Sequence, residues 1–174
     1  MKLELPIFGE IVLEEEDWEY KYGYWKQEYD FQDISIDLDI HFKSEIEEKK
    51  IDRVSLALRN LDKIYLIGKE SLKNDFGKGN AVDEYIEEWN EDVFHQMFKR
   101  DEFQNFIKGT DSSKTIEERL FTLIRLVRIG IYTESENYFV IMDFAFGYDS
   151  DFREDMLVVK LNPELEVTDI CTEG

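Results

Sequence analysis

Between Asp33 and Phe42 the chain alternates without a break. Ile34, Ile36, Leu38, Ile40 and Phe42 share one parity, and Ser35, Asp37, Asp39 and His41 share the other. Successive side chains of a β-strand point to opposite faces, so a period of two fixes both the element and its orientation. The apolar set is expected to face a core and the polar set to face solvent or a partner. Aspartate is a poor strand former, so Asp37 and Asp39 are expected on a hydrated face.

The preceding segment carries the same period. From Trp18 to Tyr29 aromatic and charged residues alternate, with Trp18, Tyr20, Tyr22 and Tyr24 on one parity. This predicts a strand whose rings cover a core; the competing use is an exposed aromatic stripe at a binding surface. Leu3 to Leu5 and Ile11 to Leu13 read as short strands around Phe8-Gly9, and Glu14 to Asp17 as an acidic turn.

The period then changes to that of a helix. Ser44 and Glu47 form a capping-box pattern, and Ile51, Val54, Leu58, Leu61 and Tyr65 follow at spacings of three and four. One helix is expected from Glu45 to Ile67, with acids and bases balanced along it. Phe76 to Asn80 breaks the chain. Its Gly-x-Gly lacks the flanking residues of a phosphate-binding loop or a dinucleotide turn, and reads as a helix-to-helix loop. Ala81 to Met97 is expected to be a second amphipathic helix, with Val82, Tyr85, Ile86, Trp89, Val93 and Met97 inward. Its outer face carries Asp83, Glu84, Glu87, Glu88, Glu91 and Asp92 with no compensating base. Thr115 and Glu118 suggest a capping box opening a short helix through Ile116, Leu120, Leu123 and Ile124.

The remainder reads as strand: Val127 to Ile131, an apolar Tyr138 to Phe146, Met156 to Leu161, and Leu165 to Cys171 after the turn at Asn162-Pro163-Glu164. Four strands joined by short turns predict an antiparallel meander. Strands, then helices, then strands is the α+β order. With 174 residues, two prolines and nine glycines, the chain is read as a single α+β domain over 1–174, a mainly antiparallel sheet packed against about three helices.

The composition bears on function. Forty-one Asp and Glu against twenty-one Lys and Arg give a net charge of -20, while 43% apolar residues argue for a folded core rather than disorder. A surface this negative repels nucleic acid and anionic membranes and attracts cationic partners. Neither a signal peptide nor a membrane-spanning run is expected, and the lone Cys171 excludes an internal disulfide, so a reducing cytoplasm is the expected setting.

Chemistry-bearing motifs are sparse. His41 and His95 have no second His or Cys at ligand spacing. Asp149-Ser150-Asp151 with Glu154 and Asp155 lacks the glycine and the bidentate glutamate of a calcium loop. The sequence carries no nucleophile, zinc or kinase signature. No catalytic residue, metal or cofactor is expected.

The segments Leu126-Val127-Arg128-Ile129-Gly130-Ile131-Tyr132, Phe139-Val140-Ile141-Met142-Asp143-Phe144 and Met156-Leu157-Val158-Val159-Lys160, with the opening Leu5-Pro6-Ile7-Phe8-Gly9-Glu10, resemble the bacterial family catalogued as domain of unknown function family 2004. The resemblance implies a bacterial cytosolic α+β protein and brings no catalytic residues.

These readings favour a non-enzymatic acidic binding protein, an immunity- or antitoxin-like inhibitor that occludes the active site of a basic toxin or nuclease. The expected contact surface combines Glu84, Glu87, Glu88 and Glu91 with Asp37 and Asp39, or with the acidic turn containing Glu15 and Glu16. An acidic adaptor or nucleic-acid mimic is the alternative. A metal-dependent hydrolase ranks lower, because it needs three convergent ligands.

Overall fold

The computed structural model describes residues 2–12, 23–42, 47–88, 105, 107–133, 135, 137–146 and 155–174. Strands β1 (Lys2–Leu5) and β2 (Gly9–Val12) form an antiparallel hairpin. Strands β3 (Gly23–Phe31), β4 (Ile34–Phe42), β5 (Ile124–Tyr132), β6 (Val140–Phe146), β7 (Met156–Leu161) and β8 (Val167–Glu173) form one sheet in sequence order. The described helices are α1 (Glu48–Arg59), α2 (Leu61–Asp75), α3 (Ala81–Glu88) and α4 (Ile116–Phe121). The architecture is α+β, as the element order implies.

Every neighbouring pair in the large sheet is antiparallel except β4 and β5, which run parallel. A parallel pair needs a long crossover. All four described helices lie in that crossover, so the helical layer is the connection itself. The C-terminal meander β5-β6-β7-β8 forms as the sequence implies.

The alternation of β4 places Ile36, Leu38, Ile40 and Phe42 in the core, beside Ile129 and Ile131 of β5 and Val140, Met142 and Phe144 of β6. Helices α1 to α3 bury Val54, Leu58, Leu61, Ile64, Leu72, Val82, Tyr85 and Ile86 against this face. The Tyr85 ring stacks on Phe146 at 5.2 Å. The β1–β2 hairpin adds Leu3, Leu5 and Ile11 to the same core.

Several sequence expectations change, and Ile124, expected in the helix that Thr115 opens, instead starts β5. The single helix over Glu45 to Ile67 is two. Asn60 leaves helical geometry at φ -120° and ψ 27°, and its side chain donates to the Leu56 carbonyl at 2.7 Å, closing α1 before α2 begins. Of the expected Ser44–Glu47 box, Ser44 lies outside the described residues and Glu47 makes no side-chain cap. The parity of β3 is also reversed. Trp25, Tyr29 and Phe31 pack on the core, whereas Tyr24 is 51% exposed on the opposite face. Trp18, Tyr20 and Tyr22 lie outside the described residues. The Thr115–Glu118 box forms in full, with the Glu118 amide donating to Thr115 Oγ1 at 3.2 Å and the Thr115 amide to Glu118 Oε2 at 2.9 Å.

The 76–80 loop is built around acceptors. Gly77 and Gly79 take φ of 80° and 72°, where a side chain would be strained. Their amides donate to Asp83 at 2.8 and 2.5 Å. Asp83 thus serves the loop, although the sequence places it with the outer acids of α3. Slight burial pushes its carboxyl up, but the backbone donors outweigh this and hold it below the usual range.

Phe31 pairs with Ile34 across a two-residue turn in which Gln32 and Asp33 both have positive φ, 48° and 65°. That geometry favours glycine at the second position. Asp33→Gly is expected to raise the unfolding free energy by about 0.5–1 kcal/mol, as read from a urea midpoint. A lower midpoint would show that the turn is not strained.

Candidate functional site

The face of the sheet opposite α1 to α3 carries the polar parity of β4. Here Asp39 is fully buried, at 0% exposure, and not hydrated as the alternation implied. The reason is Arg128 on β5. In the parallel register Asp37 lies opposite Arg128 and Asp39 opposite Gly130. Arg128 therefore reaches diagonally, and its Nε and Nη2 donate to Asp39 Oδ1 and Oδ2 at 2.6 and 2.9 Å. Its Nη1 donates to Asp143 Oδ2 on β6 at 2.8 Å, and Nη2 also donates to the Tyr132 hydroxyl. One guanidinium thus joins three adjacent strands by a planar, partly bidentate fork that lysine could not reproduce.

Gly130 makes the fork fit. A Cβ there would lie 2.8 Å from Arg128 Nη2, 2.8 Å from Tyr132 Cε2 and 3.1 Å from Asp39 Oδ2. Its absence leaves the channel through which Arg128 meets Asp39. Gly130→Ala is expected to cost about 1–3 kcal/mol, because the fork cannot yield without lengthening a buried ion pair. A thermal melt matching the parent would refute that account.

His41, two residues along the same strand face, places Nε2 2.6 Å from Asp39 Oδ2. An ionised carboxylate only accepts, so Nε2 carries the hydrogen. The imidazole stacks on Tyr132 at 4.2 Å and 9°, with Tyr24 tilted against its other side at 4.8 Å. Tyr138 meets Tyr132 edge-on at 5.3 Å. The result is a row of rings across β3, β4 and β5 beside the ion cluster.

The two carboxylates share one arginine and are not equivalent. Burial pushes Asp39 up, but hydrogen bonds from His41 and Arg128 outweigh it and hold Asp39 below its ordinary value. Burial also pushes Asp143 up, and there Arg128 only partly offsets it, so Asp143 stays above its ordinary value. Asp39 receives three charge-assisted or polar donors and Asp143 one, which accounts for the difference.

Asp37, the other predicted β4 acid, is partly exposed and pairs with Lys26 on β3 at 2.8 Å. Glu84, Glu87 and Glu88 lie on α3, across the sheet from Asp37. The surface that was to combine them does not form, because the core separates them. Glu84, Glu87 and Glu88 are exposed and make no ion pair among the described residues. Slight burial, then Asp155 and Glu84, push the Glu88 carboxyl up. Asp155 therefore joins this group, tied to α3 through its carbonyl and the Tyr85 hydroxyl at 3.4 Å. Glu15, Glu16, Glu91, His95 and the Asp149–Asp151 segment lie outside the described residues.

Among the described residues no three metal-ligating side chains converge, and no helix is long and apolar enough to cross a membrane. Burial pushes the Cys171 thiol up, with Lys160 opposing. The Arg128 cluster escaped the sequence reading, since its members lie far apart in the chain. The one available signal was that Arg128 and Gly130 share a parity between the apolar Val127, Ile129 and Ile131. The geometry defines an α+β protein whose mixed sheet is locked, on the face away from α1 to α3, by a buried arginine–dicarboxylate cluster. No family model, curated protein or solved structure matches the chain.

Both oxygens of Asp39 accept, from Arg128 and His41, so the amide of Asn would set a donor against a donor. Asp39→Asn is therefore expected to cost about 1.5–3 kcal/mol. Asp143→Asn removes the surplus charge and keeps an acceptor, so its cost is expected below about 1 kcal/mol at neutral pH. The pH dependence differs in sign. Asp39, lowered on folding, contributes stability above its unfolded value, about 3.9, which is lost as pH falls through the folded value. Asp143, raised on folding, contributes stability at low pH that is lost as pH rises through its folded value. Denaturant titrations at several pH values should show Asp143→Asn gaining on the parent as pH rises from about 4. Equal costs for the two variants would refute the asymmetry.

Proposed function

We propose that the protein is a non-enzymatic acidic binding protein, an immunity- or antitoxin-like inhibitor that masks the basic active site of a bacterial toxin or nuclease. What supports the reading is the group formed by Glu84, Glu87, Glu88 and Asp155. These carboxylates are exposed, adjacent and unpaired among the described residues, on a helix anchored by Val82, Tyr85 and Ile86. Like charges four apart on a helix repel by tenths of a kcal/mol. A cationic partner removes that repulsion, and long-range attraction speeds its approach. The contact face of this reading is α3 with Asp155, without Asp37 or Asp39. Membership of the uncharacterised bacterial family that the sequence resembles is part of the proposal and assigns no residue a role.

Co-expression with the products of adjacent genes is the test. A complex is expected whose dissociation constant rises with salt from about 0.05 to 0.5 M. Reversal of Glu84, Glu87 and Glu88 to lysine is expected to slow association about tenfold or more. No complex with any neighbouring product, or one indifferent to the triple reversal, would sink the proposal.

A further inference from the structure

A groove of about 520 Å³ opens where α2 crosses the start of β5. This volume lies within the range of small-molecule sites, about 300–1,000 Å³. Tyr65, Leu72, Phe121, Leu126 and Phe144 make its walls apolar and largely aromatic. Lys69, Lys73 and Arg125 also line it, with Glu70 as the acid. In a chain with twenty more acids than bases, cations are scarce and carboxylates abundant. Yet Lys69, Lys73 and Arg125 form no ion pair among the described residues.

Lys69 and Lys73 are four apart on α2, a like-charge spacing that disfavours a helix. Lys73 in the last turn complements the helix dipole, and Lys69 is steadied by an aromatic ring one turn earlier. Lys69 Nζ lies 5.8 Å from the centroid of the Tyr65 ring, so the charge is held above an aromatic wall. The remaining acidity of the protein acts over longer distances and is screened beyond about 8 Å at physiological salt. At the groove mouth the nearest charges decide.

We infer that this groove binds a small aromatic carboxylate, its ring against Tyr65, Phe121 and Phe144 and its anion between Lys69 and Lys73. The site is on the helical layer and is independent of the proposed contact face on α3. The probe is naphthalene-2-carboxylate, titrated into the isotope-labelled full chain and followed by amide shifts. Naphthalen-2-ylmethylamine, of similar shape and opposite charge, is the control.

Saturable shifts around Lys69, Lys73 and Phe121 are expected, with the amine at least about tenfold weaker. Lys69→Glu with Lys73→Glu is expected to weaken the carboxylate by about tenfold or more without lowering the melting temperature. If that pair melts lower, Lys69→Gln with Lys73→Gln supplies the comparison and is expected to weaken binding in the same direction. Equal binding of amine and carboxylate, binding unaffected by the folded lysine variants, or no saturation at about 10 mM would overturn the inference.

Discussion

The Arg128 guanidinium holds together what the backbone joins least securely. Parallel pairing is slightly weaker per residue than antiparallel, and β4 and β5 are the one parallel pair in the sheet. Their connection contains the whole helical layer, so no short turn fixes their register. Arg128 supplies that constraint from the side chains. It grips Asp39 on β4 and Asp143 on β6 from the strand between them. A slip of one residue would turn the fork to the apolar face and leave two carboxylates without a partner. Such a cluster adds little net stability over an apolar one, and its value here is specification of register.

The sheet is thus buried by two different means. Its helix-covered face is closed by aliphatic and aromatic packing, with Leu38, Ile40, Ile129, Ile131 and Val140 fully buried. The other face buries Asp39 and Asp143 together with Ile141, Ala145 and Val158. Gly130 links the two solutions. It preserves the strand alternation that fills the core and opens space on the reverse side for the fork.

The fold was largely legible because period is a local property. The parity of Ile34 to Phe42, the Thr115–Glu118 box and the C-terminal meander each depend on residues close in sequence. What was illegible depended on long-range pairing. Asp39 looks hydrated from its neighbours alone, and only the β4–β5 register brings Arg128, 89 residues away, beside it. Tyr24 and Trp25 illustrate the same limit. Both parities of β3 carry rings, so alternation could not decide which set faced the core. Asn60 was missed because the apolar spacing continues across it, while its side-chain bond to the Leu56 carbonyl ends the helix locally. Of the candidate site, the α3 acids were visible as an uncompensated run, whereas Asp155 joined them only through tertiary packing.

The charges fall into two electrostatic regimes. The described ion pairs join strand residues: Lys2 with Glu10, Lys26 with Asp37, Arg128 with Asp39 and Asp143, and Lys160 with Asp169 and Glu173. The central one is shielded from solvent, so salt screens it little. Glu84, Glu87 and Glu88 on α3, and Lys69 and Lys73 on α2, stand exposed and unpaired among the described residues. Pairing them internally would add at most about 1 kcal/mol each, too little for stability to dictate their placement. The buried fork therefore keeps the sheet in register over a wide range of ionic strength. The helical layer presents opposite charges on separate helices, where a ligand or partner meets an unsatisfied field that salt readily modulates.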